Sequence, residues 1–145
     1  MEKSPKNYDV LIIGAGPAGA NAAISYKNLN PNLTVGLVDK AIFPRDKSCG
    51  DAIGPGVISA LKRFNNEHIL DGEPQVVSTT LYGPDNIGIQ NYIPEVKNKE
   101  DSIVYVIPRL DLDNRILNLA KEIGVDVYEG HSFVDFESNL DKSLT

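Results

Sequence analysis

The chain has 145 residues, 41% hydrophobic and 23% charged, a composition that excludes wholesale disorder and fits one folded domain. Lys and Arg number 14 against 20 Asp and Glu, and the net charge of −6 argues against a general electrostatic grip on nucleic acid or anionic lipid. One cysteine, Cys49, excludes an intrachain disulfide, and two distant histidines, His68 and His131, offer no metal-ligand set.

Tyr8 to Ile13 is a short apolar run, rich in β-branched residues, that stops at glycine, and it predicts a strand buried on both faces. Pro17 to about Leu29 predicts a helix, favoured by its alanines and ended by Asn30-Pro31-Asn32. Thr34 to Asp39 predicts a second strand, completing a βαβ unit. A loop from Lys40 to Gly54 follows, then a helix from Pro55 to Phe64. Gln75–Tyr82, Gly88–Ile93 and Ser102–Ile107 predict strands, in which Tyr82, Tyr92 and Tyr105 are expected to pack. Asp111 to Ile123 is the clearest amphipathic helix, with Leu112, Ile116, Leu119, Ala120 and Ile123 on one face. Asp111 is expected to cap it, Asp113 to lie in its first turn, and Gly124 to stop it. Val125–Tyr128 predicts a third parallel strand, and Phe133–Phe136 the start of another. The start of the chain carries no recognisable signal peptide and its longest apolar stretch is Val10–Ile13, so a cytoplasmic setting is the simplest expectation.

The chemistry is concentrated in Gly14-Ala15-Gly16-Pro17-Ala18-Gly19. Gly14 permits a tight turn, Gly16 lets a pyrophosphate approach the backbone, and Gly19 lets helix and strand pack closely. The helix N-terminus offers N–H groups and partial positive charge to phosphates. Twenty residues after Gly19, Asp39 ends the second strand, where a carboxylate accepts from both ribose hydroxyls and repels a 2′-phosphate. FAD or NAD therefore fits better than NADP, and the motif alone does not separate FAD from NAD. The loop Phe43-Pro44-Arg45-Asp46-Lys47-Ser48-Cys49-Gly50-Asp51 follows on the edge where α/β proteins bind ligands. There Arg45 and Lys47 can meet an anionic group, and Cys49 beside Gly50 can lie close to a flat ring.

These blocks, with Pro108-Arg109-Leu110-Asp111-Leu112-Asp113 and Gly124-Val125-Asp126-Val127, resemble the geranylgeranyl reductase family of flavoproteins, relatives of aromatic hydroxylases and flavin halogenases. The resemblance implies an α/β fold: a Rossmann-like parallel sheet for FAD, with part of an antiparallel substrate-domain sheet inserted. It places an incomplete FAD-binding domain at residues 1–73 and 109–145 and the start of the insertion at 74–108. The family's later Gly-Asp box has no counterpart here, so the chain looks like about the first third of a longer enzyme. The implied cofactor contacts are Gly14, Gly16, Pro17, Ala18, Gly19, Asp39, Lys40, Arg45, Cys49, Gly50 and Arg109; no catalytic residue is assigned. The implied function is that of an FAD-dependent oxidoreductase reducing prenyl double bonds, with NAD(P)H as electron donor and a small-molecule or prenyl-lipid substrate. Peripheral membrane contact stays open. The alternatives are a flavin monooxygenase or halogenase of the same fold, or a truncated product without activity. Cys-Gly-Asp-Ala at Cys49 departs from the Cys-Gly-Gly or Cys-Gly-Asp-Gly common in relatives.

Overall fold

The computed structural model describes residues 6–92 and 104–137. The chain divides into two compact units, Met1–Arg45 with Ile116–Thr145, and Asp46–Arg115.

The first unit carries a parallel sheet in the order β1-β2-β7, from Val10–Ile13, Val35–Asp39 and Asp126–Glu129. Val10 pairs with Val35 and Gly36 with Asp126, so the third strand predicted at Val125–Tyr128 is present, one residue later. Helix α1, Pro17–Leu29, connects the first two strands and buries Ala20, Ala23 and Ile24. Val35, Gly36 and Leu37 are buried, as a central strand requires. The edge strand β1 departs from expectation. Its side chains alternate, and Leu11 and Ile13 are 53% and 54% exposed rather than buried on both faces. Gly36 lacks a side chain because Leu11 and the Tyr8 ring occupy that space. Residues 131–137 form no strand, against the expectation for Phe133–Phe136.

In the second unit β3, Ala52–Ile53, pairs antiparallel with β6, Tyr105–Val106. A separate hairpin joins β4, Ser78–Tyr82, to β5, Gly88–Tyr92. The antiparallel structure is thus two short ladders, and the predicted strand around Tyr105 has a partner in a segment read as loop. Tyr82 and Tyr92 are exposed, not packed, and residues 93–103 lie outside the described ones. Helix α2, Pro55–Lys62, and a 3-10 turn at Glu67–Leu70 bury Ile58, Leu61, Ile69 and Leu70. Arg115 ties this region by donating to the Ile69 carbonyl and to Glu73 at 2.5 and 2.6 Å.

Helix α3, Arg109–Glu122, starts two residues earlier than predicted. Asp111 therefore sits inside the first turn instead of capping it. The Pro108 carbonyl accepts from Asp111 and Leu112, and the Asp51 carboxylate accepts the Arg109 N–H at 3.3 Å. The apolar face holds Leu112, Ile116, Leu119 and Ala120, with Leu117 added and Ile123 39% exposed. Gly124, at φ +85°, ends the helix in a Schellman pattern: its N–H reaches Lys121 and that of Val125 reaches Ala120.

Candidate functional site

In the first unit the glycine motif forms the turn from β1 into α1. Gly14 takes φ +100°, a conformation side chains rarely adopt. Gly16 is the N-cap residue and Pro17 occupies the first turn. A β-carbon at Gly19 would lie 1.8 Å from the Gly14 carbonyl oxygen, so only glycine permits this approach of helix to turn. Ala15 is buried and Ala18 exposed.

Asp39 locks this turn to the end of β2. One carboxylate oxygen accepts the Ala15 N–H at 2.7 Å and the other the Ala41 N–H at 2.8 Å. Each oxygen has capacity for a further donor. Above it lies a cleft of about 340 Å³ lined by Ile13, Gly14, Val38, Asp39, Lys40 and the His131–Phe133 segment. His131 enters because its backbone N–H donates to the Asp39 carbonyl at 2.9 Å. Its Nδ1–H donates to the Glu129 carbonyl at 2.7 Å, and its ring stands edge-on to Tyr128. Sequence spacing gave this histidine no partner; nothing local signals a contact made across ninety residues of chain.

Arg45 is held close to the same turn. Its guanidinium lies over the Phe43 ring, 4.9 Å from the centroid, and a methyl group on Gly16 would meet its Nη2 at 3.4 Å. Phe43 is fixed by its N–H, which donates to Glu129 at 2.8 Å; Glu129 in turn pairs with Lys121 at 2.6 Å. Burial pushes the Glu129 carboxyl up, but Lys121 and the Phe43 N–H outweigh it and hold it below the usual carboxylate range. Glu129 was not anticipated as a support of this site.

In the second unit the structure brings Cys49, Gly50, Asp51 and Arg109 together. Cys49 is exposed, and Asp51 takes φ +54°, which Asp tolerates better than most residues. That left-handed turn accounts for a Gly or Asp at this place. The Asp51 N–H and, after it, the Arg109 guanidinium hold the Cys49 thiol below its ordinary range. Arg109 forks onto Asp113, Nε to Oδ1 at 2.6 Å and Nη2 to Oδ2 at 2.8 Å. Asp113 is fully buried and, with the helix starting at Arg109, lies beyond the first turn in which it was expected.

The glycine turn, the acid below it and the cleft suit a nucleotide: backbone N–H groups for phosphates, a carboxylate for hydroxyls, and a mainly apolar wall. No family model matches the chain. The menaquinone reductase of Mycolicibacterium smegmatis is 33% identical over 127 residues, 88% of this chain and 30% of that protein. The digeranylgeranylglycerophospholipid reductase of Picrophilus torridus is 29% identical over 124 residues, 84% of this chain and 30% of that protein. Among solved structures, the flavin-dependent halogenase CmlS matches with a TM-score of 0.75 at 25% identity, over 92% of this chain and 24% of that one. The chain thus spans less than a third of the length of each of these three proteins. By these similarities, carried on the fold just described, the chain is similar to a fragment of the FAD-dependent oxidoreductases.

Proposed function

We propose that the chain is the FAD-binding portion of a flavin-dependent oxidoreductase that reduces prenyl double bonds. The observation that carries this is the Asp39 carboxylate, tethered to Ala15 and Ala41 under a cleft that opens beside Gly14. The ribose of the adenosine half would take the remaining acceptor capacity of Asp39, and the pyrophosphate would lie over Gly16 at the start of α1, facing Arg45. Lys40 and the His131–Phe133 segment would border the adenosine, with Pro17, Ala18 and Gly19 shaping the helix start. Cys49, Gly50 and Arg109 would line the isoalloxazine side. The bound flavin supplies hydride transfer; this chain's residues bind, orient and neutralise phosphate charge.

In domain terms, residues 1–73 and 109–145 belong to the FAD-binding part and 74–108 begin the substrate-binding part. NAD(P)H is the proposed electron donor and a prenyl lipid the proposed substrate, which would bring the protein to a membrane surface. Among the described residues no helix is long and apolar enough to cross a membrane. A second reading, favoured by the likeness to CmlS, keeps FAD and makes the reaction a halogenation or monooxygenation.

Thermal shift with three ligands tests the binding. FAD and ADP are expected to raise the melting temperature, FMN is not, and Asp39→Ala should abolish both shifts. No shift with FAD, or an equal one with FMN, overturns the assignment.

A further inference from the structure

The loop after β2 is laid against the end of the neighbouring strand β7 at three points. The Asp39 carbonyl accepts from the His131 N–H at 2.9 Å, the Ala41 carbonyl accepts from the Gly130 N–H at 3.1 Å, and the Phe43 N–H donates to the Glu129 carboxylate at 2.8 Å. Glu129 is itself held, its other oxygen accepting from Lys121 at 2.6 Å. The main chain is thereby fixed as far as Phe43, which is buried. Two residues on, the Arg45 side chain turns back to the other side of β2, toward the turn that follows β1. Its guanidinium covers the Phe43 ring at 4.9 Å, and its Nη2 stands 3.4 Å from where a methyl group on Gly16 would lie. A long cationic side chain on a loop ordinarily loses rotamer freedom when it grips a ligand. Here an aromatic face, within the roughly 6 Å reach of a cation–π contact, holds it before any ligand arrives.

We infer that Phe43 is a positioning residue, which sets the Arg45 guanidinium beside Gly16 to meet a diphosphate, and that Glu129 anchors Phe43 for that task. The inference rests on the reading that a nucleotide lies across the β1–α1 turn. Each link is a contact in the structure: Lys121 to Glu129, Glu129 to the Phe43 N–H, the Phe43 ring to Arg45, and Arg45 to the space above Gly16. The ring carries no charge, so its effect on an anion passes through the guanidinium that lies on its π face. Tyrosine would offer the same face, and leucine would offer none.

Binding of ADP to the full chain, followed by titration calorimetry, tests this in a double-mutant cycle of Phe43 and Arg45. Phe43→Leu is expected to weaken ADP binding about fivefold, the upper end for an exposed cation–π pair. In an Arg45→Ala background no guanidinium remains to be placed, and the same substitution is expected to change affinity by less than about twofold. Phe43→Tyr is expected to bind ADP as the wild type does. A ring that only packs the loop would cost the same in both backgrounds. Equal losses in the two backgrounds, wild-type affinity in Phe43→Leu, or a loss in Phe43→Tyr as large as in Phe43→Leu overturns the inference. If Phe43→Leu fails to fold, judged by circular dichroism, Glu129→Ala takes its place in the cycle. It removes the acceptor of the Phe43 N–H and is expected to cost about threefold with Arg45 present. An equal cost without Arg45, or none with it, overturns the inference as well. A wild type that does not bind ADP overturns the nucleotide reading and this inference with it. A wild type that binds ADP, with a cycle that shows no coupling, overturns the inference alone.

Discussion

The three glycines of the β1–α1 turn are absent side chains for three different reasons, and replacing each by alanine should separate them. At Gly19 the added carbon would lie 1.8 Å from the Gly14 carbonyl oxygen, about 1.6 Å short of ordinary contact. The obstacle is backbone in a turn that Asp39 has tied down, so it cannot rotate away as a side chain would. The start of α1 must shift, at a cost near the top of the overpacking range, about 3 kcal/mol. At Gly14 there is open space, but φ of +100° imposes strain of order 1–3 kcal/mol on any side chain. At Gly16 φ is −66° and the nearest atom, Arg45 Nη2, stands at 3.4 Å. Stability there should change by no more than about 0.5 kcal/mol.

Thermal melting and FAD titration of the three variants give the comparison. For a chain of this size about 3 kcal/mol corresponds to roughly 10 °C, so Gly19→Ala should melt lowest, Gly14→Ala between, and Gly16→Ala with the wild type. Affinity should follow a different order. Gly16→Ala is expected to lose at least about tenfold in FAD affinity while folding normally, because its methyl group stands where a pyrophosphate must approach. A wild-type melting temperature for Gly19→Ala would refute the packing account. Wild-type affinity for Gly16→Ala would refute the phosphate account and leave the fold untouched.

Other outcomes follow from single contacts. Asp39→Ala leaves the Ala15 and Ala41 N–H groups without their acceptor and should cost about 2 kcal/mol in urea unfolding without ligand; Asp39→Asn, which keeps one acceptor oxygen, should cost about half. Asp51→Val should destabilise by about 1–2 kcal/mol through its left-handed backbone and the lost acceptor for the Arg109 N–H, whereas Asp51→Asn, which keeps an acceptor oxygen, should be near neutral; equal melting temperatures would contradict this. Asp9 is held below the usual carboxylate range by the Thr34 hydroxyl and N–H, and Asp126 by Lys6. With Glu129 these groups have folded pKa values below their unfolded ones, so their contribution is complete above about pH 4–5 and is lost as pH falls through the folded values. The melting temperature should be flat from pH 7 to about pH 5 and fall below about pH 4; no change down to pH 3 would contradict the assignment.

The first βαβ unit was legible because every signal in it is local: an apolar run stopped by glycine, an alanine-rich helix, an acid at the end of the next strand. The same locality explains the misses. β3 is two residues long, below the length at which periodicity speaks, and it pairs with the predicted strand around Tyr105 across more than fifty positions. Capping rules pick the acid nearest a helix start and so chose Asp111, whereas Pro108 begins the helix earlier and the carboxylate that meets its first N–H comes from Asp51. Glu129, one residue past the predicted strand, holds Phe43, on whose ring Arg45 rests, and nothing local in the sequence signals that contact. Asp113 did carry a signal: Arg109 and Asp113 are four apart on a helix, and an acid bounded by Leu112 and, at i+3 and i+4, by Ile116 and Leu117 faces inward.

Asp39 shows why part of a site can be read directly from sequence while its supports cannot. An acid at that position is read as a ribose acceptor, which accounts for one lone-pair site on each oxygen. The structure spends the other site on each oxygen on the chain itself, at Ala15 in the glycine turn and at Ala41 after the strand. The residue proposed to discriminate against a 2′-phosphate is thus also the tether of the loop proposed to meet the pyrophosphate. Replacing it with a neutral side chain, as a switch toward NADP-type ligands would require, removes both functions together. The loop would lose its position before the new ligand could use it. Such a switch must restore an acceptor for the Ala15 N–H elsewhere, and Asp39→Ser with a nearby arginine should gain 2′-phosphate affinity only to the extent that the serine hydroxyl takes up that N–H.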